Sequence, residues 1–229
     1  MGIKQNLEHV YARIAAAANG CGRPPESVKL VAVSKTVPVE KIREGIVAGV
    51  VDLGENYVQE AREKIETLAD QPLTWHLIGH LQSNKAKYAA RLFDLIHSVD
   101  SVKLARALDK EARKNSKLQP VLIQVNIAGE QTKSGVSEAE AVELVQQVSR
   151  LENLSVRGLM TMPPYFNAPE KVRPYFRRLR ELRDRIAAMN LPGVSMDELS
   201  MGMTGDFEAA IEEGATMVRI GTAVFGERQ

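Results

Sequence analysis

Short apolar runs alternate with amphipathic stretches along almost the whole chain, and this alternation most restricts how it can fold. Strand-like runs are read at 29–34 (KLVAVS), 51–54, 74–79 (TWHLIG) and 95–98. Four more follow at 120–126 (PVLIQVN), 155–160, 198–201 and 217–220. Helical segments are read between them at 38–48, 58–68, 84–92 and 102–113, and then at 138–150, 170–189 and 205–213. A further helix stands in front, where Leu7, Val10, Tyr11, Ile14 and Ala18 recur at helical spacing and Asn19-Gly20 ends the pattern. Strands alternating with helices imply parallel βαβ units. Eight such units over roughly 200 residues predict an α/β fold, a closed (β/α)₈ barrel of the TIM type. Residues 1–229 are read as one domain, with 1–20 as the leading helix and 29–225 as the barrel. A doubly wound open sheet is the alternative, and it usually needs fewer strands.

Composition excludes several classes of function. With 229 residues the chain buries enough surface to form a core without disulfides or metal. Its one cysteine, Cys21, excludes an intrachain disulfide and a thiolate cluster for zinc or iron–sulfur. Thirty Lys and Arg against 29 Asp and Glu leave a net charge of +1, so no general attraction to nucleic acid or anionic lipid is expected. No apolar run approaches the roughly 18 residues of a membrane span, and the first residues lack a signal-peptide core. The expected location is the cytoplasm.

In a barrel of this kind, function sits where strands end and loops begin. Lys35 follows the first strand directly. A rim lysine in partly apolar surroundings offers more free amine, which can form a Schiff base with an aldehyde; the alternative is a solvated loop residue. Gly54-Glu55-Asn56-Tyr57 follows the second strand. Asn56 there offers a donor and an acceptor to a ligand, or caps the next helix. Glu55 is placed to pair with Lys35 or an arginine. His76 and His80 stand four apart on the third strand and its exit. With no third ligand in sight, metal binding is not expected, and His76 is read as packed or pointing into the barrel. His80 is placed to touch a ligand or a loop. Met160 ends the sixth strand and is read as core or as packing against a flat ring.

The strongest local signal lies near the end. Ser200-Met201-Gly202-Met203-Thr204-Gly205-Asp206 follows the seventh strand, and Arg219-Ile220-Gly221-Thr222 closes the eighth. Small residues let a backbone approach an oxyanion, and hydroxyls and first-turn N–H groups can donate to it. Anion sites built from loops seven and eight recur in barrels. Neither a P-loop nor a dinucleotide fingerprint is present. Arg219 is a fixed cation inside a strand, suited to an ion pair with Asp206 or Glu55, or to facing the ring nitrogen of a bound heterocycle.

Taken in order, five segments resemble the pyridoxal phosphate homeostasis protein (YggS/PROSC-like) family over essentially the whole chain. They are VAVSK at 31–35, GENYVQE at 54–60, HLIGHLQSNK at 76–85, LSMGMTGD at 199–206 and VRIGT at 218–222. The resemblance implies the fold type III barrel of the alanine racemase N-terminal domain, with pyridoxal 5'-phosphate as cofactor. It implies Lys35 as the lysine that holds the cofactor as a reversible Schiff base, and Asn56 beside its ring. Ser200, Gly221 and Thr222 would hold the phosphate, with Met201 and Thr204 in or close to that shell. Arg219 would face the pyridine nitrogen, and His80, Met160 and Tyr57 would be further pocket residues. It also implies a monomer that balances free pyridoxal phosphate without substantial catalysis. Amino acids or cofactor-requiring apo-enzymes are its expected partners. The alternative is a weak amino-acid racemase. Racemization needs acid/base groups on both faces of the reacting carbon, and the racemase's C-terminal β-domain, which supplies the second group, is not expected after Phe225. A third reading is a barrel enzyme that acts on a phosphorylated metabolite.

Overall fold

The structure, a computed structural model, describes residues 2–130, 133–164, 166 and 168–226. It opens with α1 (Ile3–Gly20), β1 (Lys29–Val33), α2 (Val39–Val47) and β2 (Asp52–Glu55). Next come α3 (Val58–Thr67), β3 (Thr74–Leu77), α4 (Ala86–Leu92), β4 (Leu95–Val99) and α5 (Val102–Lys114). The chain continues through β5 (Gln119–Gln124), α6 (Glu138–Val148), β6 (Leu154–Met160) and α7 (Arg173–Ala187). It closes with β7 (Val194–Ser200), α8 (Phe207–Glu212), β8 (Met217–Ile220) and α9 (Thr222–Phe225). Each strand pairs in parallel with the next, and β8 pairs back onto β1, so the described strands form the closed eight-stranded barrel expected.

Strand side chains alternate between two faces, and the barrel separates two apolar layers accordingly. Val31, Ile78, Leu95, Leu122, Met160 and Met217 fill its interior. Leu53, Ile96, Val121, Ile123 and Leu159 point outward onto buried helix residues such as Leu104, Leu108, Leu144 and Phe176. Where β5, β6 and β7 meet, the register shifts at Gly158, and a Cβ there would overlap the Glu198 carbonyl oxygen. Only glycine allows that approach.

The leading helix α1 buries Leu7, Val10, Ile14 and Ala18 at the expected spacing, although Tyr11 is largely exposed. It docks on the end of the chain. Asn6 Nδ2 donates to the Val224 carbonyl (3.1 Å), and Arg13 Nε donates to Glu208 (2.7 Å). Some boundaries differ from the expectation. The strand expected at 198–201 begins at Val194, α9 was not foreseen, and the helix expected at 170–189 divides into a 3₁₀ turn (Pro169–Lys171) and α7. The arginines of α7 are paired: Arg178 and Arg185 reach Glu138, and Arg173, Arg177 and Arg180 converge on Glu213. Among the described residues, no helix is long and apolar enough to cross a membrane.

Candidate functional site

A cavity of about 500 Å³ opens where the strands end. Lys35, Asn56, His80, Thr204, Arg219, Gly221 and Thr222, widely separated in the chain, all line it. Its wall also contains Met162, from the same strand end as Met160, and Gln124, Lys133, Ser134 and Phe166, which sequence reasoning passed over. Gln124 is the last residue of β5, so applying the strand-end rule to the fifth strand would have found it.

A buried clamp holds Lys35 by its backbone. Lys64 Nζ on α3 donates to the Ser34 carbonyl (2.6 Å), to Glu55 Oε1 (2.8 Å) and to Glu60 Oε1 (2.7 Å). Ser34 Oγ donates to Glu55 Oε1 (2.6 Å), and the Thr36 N–H donates to Glu60 Oε1. Both neighbours of Lys35 are thus tied to one cluster. Thr36 takes a left-handed conformation (φ 61°), which costs a non-glycine residue about 1–3 kcal/mol. Its bond to Glu60 offsets part of that cost. Glu55 therefore pairs with Lys64, a partner the sequence did not suggest. Burial pushes the Glu55 carboxyl above its usual range, opposed by its bonds from Lys64 and Ser34.

Asn56 faces the cavity and caps no helix; Tyr57 occupies the N-cap of α3 without a side-chain bond. Asn56 is held by close approach: a Cβ on Gly79 would overlap its carbonyl oxygen and stand 2.7 Å from its Cα. In the loop after β7, the Met203 N–H donates to Asp206 Oδ1 (2.6 Å), which shapes the turn carrying Thr204 and Gly205. Burial raises the Asp206 carboxyl, against that backbone bond and the Arg219 charge.

Arg219 is almost fully buried, yet one face of it reaches the cavity. Its guanidinium donates to Ser200 Oγ (2.6 Å) and to the Thr161 carbonyl (2.8 Å), so its hydrogen bonds go to neither Asp206 nor Glu55. Burial pushes Arg219 down to about 10, which leaves it charged at neutral pH.

Four expected pocket residues stand elsewhere. Ser200 and Met201 are fully buried behind the wall, and the Ser200 hydroxyl is committed to Arg219 and His97. Met160 lies in the interior apolar layer, and Tyr57 is 61% exposed outside the cavity. His76 is packed inside the barrel. Its Nε2 lies 2.9 Å from Asp52 Oδ1 and its Nδ1 lies 2.9 Å from His97 Nε2. Among the described residues, no group of three His, Cys, Asp or Glu side chains could hold a metal ion.

His97 gives the fold a pH dependence. Burial pushes its imidazole well below the usual 6.5, and the nearby His76, Arg219 and Lys29 add to this. Below pH 6.5 the unfolded chain therefore binds a proton that folded His97 refuses. Its stabilising contribution is complete above 6.5 and falls with pH by up to about 1.4 kcal/mol per unit. Raised carboxyls such as Glu55 and Asp100 act in the opposite sense, so the difference from a variant isolates the histidine. Urea unfolding at several pH values between 7 and 5 is expected to show a shallower acid loss in His97→Gln than in the unaltered chain. Equal slopes would remove His97 as the cause.

The alanine racemase N-terminal domain family model matches residues 5–229. A pyridoxal phosphate homeostasis protein of Aquifex aeolicus (strain VF5) is 50% identical over 229 residues, covering 100% of both chains. Another, from Vibrio alginolyticus, is 48% identical over 230 residues and covers 99% of this chain and 97% of its own. Among solved structures, PipY of Synechococcus elongatus PCC7942 with pyridoxal phosphate bound superposes with a TM-score of 0.85. It is 37% identical and covers 98% of this chain and 100% of its own.

Proposed function

We infer function from the premise that the chain belongs to the pyridoxal phosphate homeostasis protein family, built on the barrel of the alanine racemase N-terminal domain. It binds pyridoxal 5'-phosphate and acts as a carrier that balances the free cofactor rather than as an enzyme. One observation carries the reading: an amine, a buried guanidinium and a glycine- and hydroxyl-lined corner open into a single cavity.

The donor set fits the cofactor. A phosphate, a ring nitrogen and an aldehyde call for oxyanion donors, a cation and an amine. Thr204, Gly205, Gly221 and Thr222 supply the corner, Arg219 the cation and Lys35 the amine. When bound, pyridoxal phosphate supplies an aldehyde that condenses reversibly with a primary amine. Lys35 presents that amine, and its clamped neighbours fix where the side chain starts. Thr204, Gly221 and Thr222 hold the phosphate through hydroxyl and backbone N–H donors, while Asn56 orients the ring. Arg219 keeps its own proton and withholds one from the ring nitrogen, which limits the ring as an electron sink. Ser200 supports Arg219, and Met201 backs the loop that carries Thr204.

The proposal extends to a single-domain monomer in the cytoplasm that exchanges its cofactor with amino acids or with apo-enzymes that need it. The test is the visible spectrum of the purified protein with added pyridoxal phosphate, followed by borohydride reduction and peptide mapping. A new visible band and a label on Lys35 are expected. No band and no labelled lysine would overturn the cofactor reading, and a label on Lys64 or Lys133 would overturn the assignment to Lys35. Solvent exchange of an amino acid's Cα hydrogen at a rate set by Lys35 would replace the carrier with a racemase-like enzyme.

A further inference from the structure

Five buried polar groups form one line through the barrel interior. Asp52 Oδ1 meets His76 Nε2 (2.9 Å), His76 Nδ1 meets His97 Nε2 (2.9 Å) and His97 Nδ1 meets Ser200 Oγ (2.9 Å). Ser200 Oγ then accepts from Arg219 (2.6 Å). Asp52 is the first residue of β2, at the amino end of the barrel, whereas Arg219 reaches the cavity at the carboxyl end. His76, His97 and Ser200, between the two ends, are at most 1% exposed, and the Asp52 side chain is 12% exposed.

The chemistry of the two ends sets the direction. A guanidinium only donates and an ionised carboxylate only accepts. Ser200 must therefore accept from Arg219, and its single proton goes to His97 Nδ1. That leaves His97 with its hydrogen on Nε2, directed at His76 Nδ1, and His76 with its hydrogen on Nε2, directed at Asp52. A single arrangement uses every proton, and it requires both rings to be neutral. The depressed proton affinity of His97 agrees with this. Reversing the line would set a bare His76 nitrogen against the Asp52 carboxylate and leave the Ser200 hydroxyl proton without an acceptor in the line. The other ionisable groups bearing on the line are Tyr11 near Asp52, Lys29 near His97 and Asp206 near Arg219.

We propose that Asp52 is a positioning residue for Arg219: its carboxylate fixes the direction of the line, so that the Ser200 proton is turned to His97 and both oxygen lone pairs are left to Arg219. The cation that faces the cofactor ring is thus oriented from the opposite end of the barrel. This role rests on the reading that Arg219 faces the ring of bound pyridoxal phosphate.

Two measurements test it. Nitrogen-15 NMR of the histidine side chains, in the full chain without cofactor, is expected to show His76 and His97 neutral with hydrogen on Nε2. Asp52→Asn keeps an acceptor oxygen and is expected to keep both tautomers. Asp52→Leu removes the acceptor and is expected to populate hydrogen on Nδ1 in both rings. With pyridoxal phosphate bound, Asp52→Leu is expected to move the pH midpoint of the visible spectrum by about half a unit, the scale of one ordinary hydrogen bond. Asp52→Asn is expected to stay near the unaltered protein. A hydrogen on Nδ1 of either ring in the unaltered chain would overturn the proposal, and that result needs no variant to fold. Altered tautomers with an unmoved midpoint would overturn the link to Arg219. Failure to bind pyridoxal phosphate at all would instead strike the cofactor reading, and it would appear as a missing band while the tautomers stayed as expected.

Discussion

Lys64→Met is expected to cost the fold about 3–5 kcal/mol, the loss found when one partner is removed from a buried ion pair. Lys64 is 8% exposed at its side chain and Glu55 not at all. Glu55 Oε2 already lacks a hydrogen-bond partner, so its charge depends on the Oε1 contacts. Without the ammonium, Ser34 is its remaining donor, and the carboxyl can stay folded only by taking up a proton. A folded carboxyl raised above its unfolded value stabilises at pH below the unfolded value, and that contribution is lost as pH rises through the folded one. Chemical denaturation is therefore expected to show the largest deficit near neutral pH and a smaller one in acid. Adding Glu55→Gln removes the stranded charge and is expected to restore much of the loss. It also provides a folded protein if the single variant does not fold. That double variant still lacks the Lys64 bonds to the Ser34 carbonyl and to Glu60, so it is expected to label Lys35 more slowly with pyridoxal phosphate. A loss below about 1 kcal/mol for the single variant would mean that the cluster is no more than a surface pair.

The barrel was legible because each strand carries a compact apolar run, and buried parallel strands need one. The exception shows the limit. In β7 (VSMDELS) only the third, sixth and seventh residues are buried, so its first half reads as loop and the sequence pattern places the start of the strand at Glu198. The short α9 left no periodic signal, because four residues make little more than one turn. In the site, Lys35, Arg219 and the glycine-rich turns stood out because strand ends are where a barrel displays side chains. Ser200 misled for the same reason. It ends a strand beside a phosphate-like loop, but its side chain points into the layer below, level with Met160. Facing cannot be assigned by proximity in sequence when alternation sends neighbours to opposite faces. The His97 to Ser200 contact joins residues 103 apart, and no local pattern marks His97 in β4 (LIHSV). The Lys64 clamp was hidden in another way. A lysine on an amphipathic helix reads as solvated, and only the packing of α3 over the end of β1 buries it.

Lys35→Ala is expected to abolish the borohydride-trapped adduct while leaving the protein folded. The clamp holds the backbone on either side of residue 35, at the Ser34 carbonyl and the Thr36 N–H, and the substitution leaves those bonds in place. The other walls of the cavity, including Arg219, Thr204 and Thr222, stay in place. Binding should therefore persist without the covalent bond, weakened by at least about tenfold, or 1.4 kcal/mol. What remains is held through the phosphate, so inorganic phosphate is expected to compete with pyridoxal phosphate more effectively in the variant than in the unaltered chain. Lys35→Arg separates charge from covalency, because a guanidinium keeps the cation but stays protonated and does not condense with the aldehyde at neutral pH. It is expected to show no adduct while binding at least as tightly as the alanine variant. An undiminished adduct in Lys35→Ala would move the reactive amine elsewhere, with Lys133, which also lines the cavity, the first to map. An adduct lost together with all phosphate-sensitive binding would show that the corner at Thr204, Gly221 and Thr222 does not hold the ligand by itself.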